Sequence, residues 1–373
     1  MKKIGILTFS NTYNYGATLQ AFAVSEILKE MGNSPIFIDY TPSQTQAGKQ
    51  SLKTKIKRLF LALITRIYFK KDETATERYK NAFNKFRERN MLFTATKIHD
   101  AKDAAADIET CSFDAYVVGS DWVWQEPFDK VFFLDFLKNT SATRIAFAAS
   151  AGKYTIEDKA EFKRLSNNFD FISLREKDME RNVREITGRE TQTIPDPTLL
   201  FDSSFWSKYA GDKPIVEGDY ILVYSMKPRK NFKKIVSKCK RVLRMKTVGI
   251  SFCDAVRNLI GVDCDDVIRG LGPSEFLNII KNAKFVITSS FHGTVFSMIF
   301  HVPFYSYTFS PDDKRMENLI ESAGLDKGLN VKTPEQIKTV NIKSYNFEQA
   351  DKTFSSWKEN AKKFLSSALD KQS

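Results

Sequence analysis

The segment KFVITSSFHGTVFSMIF, residues 284–300, holds the side chains best suited to acid–base work. An apolar run is followed by Ser289, Ser290, Phe291, His292, Gly293 and Thr294, and then by helical spacing. This places His292 at the start of a helix beside two hydroxyls. Imidazole, with an ordinary pKa of ~6.5, can give or take a proton near neutrality. Of the three histidines, His99 lies in a polar stretch and His301 ends an apolar helix, so His292 is the one to act if any does. A purely structural histidine is the competing reading. Three further loops carry reactive or adhesive groups. FISLREKDMERN, 171–182, puts Arg175 where a buried strand meets a charged helix. Its planar fork suits phosphate or carboxylate, and equally an ion pair with Glu176 or another acid. FSNTYNYGATLQAF, 9–22, offers Ser10 and Asn14 for hydrogen bonds, Tyr13 and Tyr15 as flat faces for a sugar, and Gly16 for a tight turn. VVGSDWVWQEP, 117–127, offers Ser120 and Asp121 as caps, Asp121 also as a partner for a sugar hydroxyl, and Trp122 and Trp124 as a stacking wall or as core.

All four loops follow strand-like runs, which sets what must position them. KIGILT, PIFID, DAYVVG, RIAFAAS, FISLR and TQTIPD alternate with helical spacing over residues 1–196. Apolar strands separated by helices predict a parallel sheet covered on both faces. KYAGDKPIVEGD, near 207–219, collects Gly, Pro and charge and marks a boundary. A second set follows, DYILVYS, KTVGIS, KFVIT and PFYSY, with a helix over 230–243 and another from Pro273. The expected fold class is α/β, with two Rossmann-like domains facing a cleft. The first spans 1–210 and carries a basic helical insertion at 41–110; the second spans 211–345; a helix over 346–373 packs back. Open sheets of this kind bind ligands beyond the carboxyl ends of their strands, where the four loops lie.

Bulk properties narrow the function. With 373 residues, 42% hydrophobic and 27% charged, the chain is globular and long enough for two cores. A net charge of +12 favours an anionic partner, although basic helices that merely keep the protein soluble would give the same sum. Cys111, Cys239, Cys253 and Cys264 show no CxxC spacing, and the apolar start of the chain reads as a strand rather than a leader, so a reduced, cytoplasmic setting is expected. No apolar run reaches the ~18 residues of a membrane span. No cluster has metal-ligand spacing, so neither metal nor other cofactor is expected, and no nucleic-acid-binding motif stands behind the charge. Residues 40–71 hold eight Lys or Arg and no acid, with Ile56, Leu59, Phe60, Leu63, Ile64 and Ile67 on one helical face. Such a helix, 53–71, either docks on the protein's own core or makes a peripheral contact with the inner face of a membrane.

ILTFSNTYNYGATLQAFA, YVVGSDWVW, ISLREKDM, PDPTLL and GPSEFLNIIKNAKFVITSSFHGTVFSMIF, in that order between residues 6 and 300, resemble the polysaccharide pyruvyl transferase family. The resemblance implies a GT-B-like fold and transfer of the enolpyruvyl group of phosphoenolpyruvate to a sugar or lipid-linked oligosaccharide, giving a pyruvate ketal. It implies Arg175 and His292 as catalytic and donor-binding residues, His292 as proton donor, with Ser290, Gly293 and Thr294 around the same anion. Asn14, Tyr15, Gly16, Ser120, Asp121 and Trp124 would then face the acceptor. Relatives often have Gln where this chain has Trp122, and some have Arg where it has Ser290. The missing cation would come from Lys227, Lys314 or Arg315. A GT-B glycosyltransferase using a nucleotide sugar, and a family member that holds anionic glycans without chemistry, are the alternatives.

Overall fold

The computed structural model describes residues 1–41, 73–100, 104, 111–137, 140–152, 155–226, 229–251, 259, 261–310, 313–337 and 345–370. Two compact units divide the chain: Met1–Gln46, Arg87–Phe201 and Ser355–Ser373 in the first, Ala47–Phe86 and Asp202–Phe354 in the second. The membrane-contact helix read at 53–71 lies outside the described residues, as does Lys227.

In the first unit β1 (Lys3–Leu7), β2 (Ser34–Tyr40), β3 (Phe93–Ile98), β4 (Ala115–Val118), β5 (Thr143–Ala149), β6 (Phe171–Leu174) and β7 (Gln192–Thr193) form a sheet in the order β3-β2-β1-β4-β5-β6-β7. In the second, β8 (Tyr220–Tyr224), β9 (Lys246–Ser251), β10 (Asp266–Arg269), β11 (Phe285–Thr288) and β12 (Phe304–Ser306) take the order β10-β9-β8-β11-β12. Every pairing is parallel. The central strands are buried along nearly their whole length, as parallel strands covered by helices must be. Chain order reverses between β1 and β4 in one sheet and between β8 and β11 in the other. At such a reversal the two following loops part and leave a crevice at the carboxyl edge. The loops after β1, β4, β8 and β11 are therefore the ones the topology opens to a ligand.

Helices enter these edges with local caps. Asn14 caps α1 (Tyr15–Glu30), its side chain accepting from the Ala17 amide at 3.1 Å. Two segments depart from the sequence reading. α2 (Glu73–Asn90) lies inside the expected insertion, and its residues up to Phe86 belong to the second unit rather than the first. The division at Phe201/Asp202, nine residues before 210, also has a physical cause. The following helix α3 (Ser203–Ala210) packs within the second unit: Trp206 meets Phe296 edge-on at 5.1 Å, and Asn278 donates to the Ala210 carbonyl at 2.9 Å. β3 and β10 escaped the reading because both are edge strands with half-exposed, polar sequences, FTATKI and DVIR.

Candidate active site

At the carboxyl edge of the first sheet, the loop after β1 is held from beneath. Arg87, 5% exposed, donates to the Thr12 carbonyl at 3.3 Å and the Ser10 carbonyl at 3.4 Å, and its guanidinium lies 5.0 Å from the centre of the Tyr13 ring. Burial lowers the pKa of Arg87, and Tyr13, Asp39 and Glu88 oppose the shift. Tyr13 is exposed, but Tyr15 is fully buried as the first residue of α1. Tyr15 therefore offers no face to a sugar. Gly16 is likewise enclosed in the helix, while Asn14 is exposed but spends its side-chain oxygen on the cap.

The loop after β4 separates into structural and presented residues. Ser120 is buried, its amide donating to Gln20 Oε1 at 3.0 Å and its hydroxyl to the Ala148 carbonyl at 2.7 Å. Trp124 is fully buried, stacked on Phe133 at 5.4 Å and edge-on to Phe162 at 5.3 Å. Neither reaches an acceptor, because both complete the core beneath the loop. Trp122 is the indole that is presented. Asp121, with a left-handed φ of 62°, keeps its side chain 23% exposed.

Arg175 is placed as the ion-pair alternative of the sequence reading has it. Its side chain is 4% exposed. Nε donates to Glu176 Oε1 at 2.8 Å, Nη1 to Asp196 Oδ2 at 3.1 Å and Nη2 to Ser150 Oγ at 3.1 Å, and Asp121 Oδ1 stands 3.7 Å from Nη1. Burial alone would lower its pKa; Glu176, Asp196 and Asp121 reverse that and hold the guanidinium charged. One cation among three carboxylates is a poor seat for another anion, which favours an ion-pair role for Arg175 over a donor-ligand one. The sequence offers Glu176 as a partner but not Asp121 and Asp196, which come from distant loops.

At the carboxyl edge of the second sheet, Ser225 and Ser289 share a hydrogen bond of 2.9 Å, and Ser289 Oγ accepts from the Met226 amide at 3.3 Å. Ser290 caps α4 (Phe291–Ile299), its hydroxyl accepting from the Gly293 amide at 3.3 Å. A Cβ on Gly293 would sit 2.4 Å from Thr288 Oγ1, so glycine is required for the helix to lie against β11. Thr294 is buried, its hydroxyl reaching the Ser290 carbonyl at 3.2 Å and the Met316 sulfur at 3.4 Å. Gly293 and Thr294 thus serve the turn itself, not an anion. His292 is half-buried on the first turn, edge-on to Phe291 at 5.3 Å, with Nε2 buried. By contrast His301 pairs with Asp351 at 2.9 Å and stacks on Phe347, a structural role.

Of the cations proposed for this edge, Arg315 is taken by Asp313, with Nε to Oδ1 at 2.9 Å and Nη2 to Oδ2 at 2.7 Å. Lys314 is exposed at the start of α5 (Arg315–Ser322). Sequence reasoning missed Arg229, which follows β8 at the head of α6 (Lys230–Leu243). Its guanidinium lies 5.6 Å from the Phe309 ring, beyond β12, and no acid pairs with it among the described residues. Among the described residues no group of three His, Cys, Asp or Glu stands where it could hold a metal ion, and no helix is long and apolar enough to cross a membrane.

Two parallel sheets, each with a reversal at its carboxyl edge, define a GT-B-like protein of two Rossmann-like units. Solved structures of similar fold include UDP-GlcNAc 2-epimerase from Methanocaldococcus jannaschii (TM-score 0.58, 13% identity, covering 96% of this chain and 98% of that one). Staphylococcus aureus MnaA with UDP follows (0.55, 12%, 99% and 97%), as does the Neisseria meningitidis UDP-GlcNAc 2-epimerase bound to UDP-GlcNAc (0.53, 10%, 100% and 100%). At these identities the likeness is one of fold. No curated protein matches the chain. The family model of polysaccharide pyruvyl transferase matches residues 14–311, and the chain belongs to that family.

Proposed function

We propose that the protein transfers the enolpyruvyl carbons of phosphoenolpyruvate to a sugar of a polysaccharide or its precursor and closes them into a pyruvate ketal. The observation that carries this is the family match over 14–311, which takes in every strand-end loop described above except the start of the first. The charge distribution supports a division of labour. A donor bearing phosphate and carboxylate suits the second unit's edge, where the partly exposed Ser290 and the exposed Arg229 offer a hydroxyl and a cation. The first unit's edge, where Asp121 keeps its carboxylate partly exposed beside the buried Arg175, suits a neutral sugar whose hydroxyls donate to an acid.

In the proposed chemistry protonated His292 delivers its proton to the methylene carbon of the enol, leaving an oxocarbenium-like C2. One sugar hydroxyl adds to C2 and loses its proton. The C2–O bond to phosphate then breaks, and a second hydroxyl closes the ring. The methylene gains one proton, the two hydroxyls release two, and one of these leaves on the phosphate while the other restores His292. The reaction is thus balanced without an oxidant or further reactant.

Thermal shift with phosphoenolpyruvate and with UDP-sugars tests the reading. A ligand at 100 times its Kd stabilises by about 2.7 kcal/mol, or roughly 5–10 °C for units of this size. Phosphoenolpyruvate should give the larger shift. A shift from UDP-sugars alone would move the assignment to glycosyl transfer. A response to anionic glycans alone would leave a binding protein without chemistry.

A further inference from the structure

Among the described residues two Phe, Tyr or Trp rings are exposed, Tyr13 at 42% and Trp122 at 40%. They flank one reversal: Tyr13 follows β1 and Trp122 follows β4, and these strands pair directly. A single exposed ring is unremarkable. Two on opposite lips of the crevice where an open sheet takes its ligand call for an occupant.

Both rings are braced in place. The Arg87 guanidinium lies against Tyr13 at 5.0 Å, and Arg87 also donates to two carbonyls of the same loop, those of Ser10 and Thr12. Trp122 rests on Gly152, in the loop after β5. A Cβ there would stand 2.8 Å from both Cδ2 and Cε2 of the indole, and the φ of 70° also favours glycine. The indole is therefore seated against bare backbone. Next to it, Asp121 keeps its side chain partly exposed while Arg175 holds the carboxylate at 3.7 Å. Flat rings with a fixed acid beside them match a pyranose, which has an apolar C–H face and a rim of hydroxyl donors. Two rings carried on separate loops, one after β1 and one after β4, can each take its own sugar residue of a chain.

We propose that Tyr13 and Trp122 form a two-ring seat for the acceptor, which is therefore an oligosaccharide with at least two consecutive pyranose residues and not a free monosaccharide. The proposal rests on the reading of the first unit's edge as the acceptor side. It also replaces Tyr15 and Trp124 as the sugar-facing aromatics.

The test is an immobilised array of bacterial oligosaccharides together with their component monosaccharides, probed without donor. Wild-type protein is compared with Tyr13→Ala, Trp122→Ala and Trp122→Phe, each first shown to keep the wild-type Tm. The best oligosaccharide should bind about tenfold more tightly than its monosaccharide, and each alanine variant should lose about three- to tenfold. Trp122→Phe should recover most of that loss. With phosphoenolpyruvate present, the alanine variants should raise KM for the oligosaccharide and leave kcat near wild type. Equal binding of monosaccharide and oligosaccharide, wild-type binding by both alanine variants, or silence of the wild-type protein across the array would overturn the seat. If both alanine variants transferred pyruvate with wild-type KM, the seat would fall and pyruvyl transfer would stand. Aromatic-dependent binding with no phosphate release from phosphoenolpyruvate would do the reverse.

Discussion

Replacing Arg175 with methionine separates a structural cation from a donor ligand. The guanidinium donates to Glu176 at 2.8 Å, Asp196 at 3.1 Å and Ser150 at 3.1 Å, and the Asp196 side chain is fully buried. Methionine fills much of the volume but strands the carboxylates. Removing one partner of a buried ion pair costs about 3–5 kcal/mol, which for a unit of this size lowers Tm by roughly 6–20 °C. Arg175→Lys keeps a charge but can satisfy only part of the fork, so it should lose less than methionine and still several degrees. Circular-dichroism melts, with phosphoenolpyruvate titrated calorimetrically below the melting range, give both readouts. A methionine variant that melts within about 2 °C of wild type but no longer binds the donor would refute the ion-pair account.

His292→Gln should keep the fold and lower phosphate release by roughly 10²–10⁴; near-normal turnover would end its role as acid. Arg229→Gln should raise KM for phosphoenolpyruvate by roughly 10- to 100-fold, the loss of one charged hydrogen bond, with Tm unchanged. Gly293→Ala drives a Cβ to 2.4 Å from Thr288 Oγ1 and 3.0 Å from Tyr224 Cδ1; overpacking there should cost about 1–3 kcal/mol in denaturant melts. Burial would raise the pKa of Asp313, but the hydrogen bond and charge of Arg315 outweigh it and hold it below its ordinary value. The pair's stabilisation is therefore present above about pH 4 and lost as pH falls through the lowered pKa, and Arg315→Gln should abolish that acid limb of the stability profile.

The alternation of apolar strands and helical spacing was legible because central parallel strands are buried on both faces, and β8, β9, β11 and the helix over 230–243 fall close to their expected places. The loops of interest were legible too, since each follows such a strand. Which residue of a loop does what was not. Trp122 and Trp124 are two positions apart and equally apolar, yet one is exposed and the other lies in a cage of Phe133, Phe162 and Phe169 built from later segments. Arg175 read equally as a phosphate ligand and as an ion-pair partner because only Glu176 is adjacent, while Asp121 and Asp196 are 54 and 21 positions away. Arg229 was passed over because only the fold carries it to Phe309, in the loop beyond β12. Burial and pairing are properties of contacts distant in sequence, and short motifs do not encode them.

The last helix, α7 (Phe347–Leu369), has a bearing on how the chain is made. Its segment from Ser355 onward belongs to the first unit, where Ala361, Leu365 and Ala368 are fully buried and Phe364 lies 6.3 Å from Phe147 and 6.5 Å from Phe171. Lys358 and Lys362 reach Glu30, at 2.8 and 3.3 Å. On the ribosome, β1 to β7 are complete once Phe201 emerges, yet their covering helix is still to be synthesised. At roughly 5–20 residues per second that interval lasts about 8–30 s, during which the nascent first unit presents an uncovered patch around Phe147 and Phe171. The first unit is therefore the first to start and the last to finish, and a chain halted before Ser355 would leave the ribosome with that patch open to chaperones and proteases.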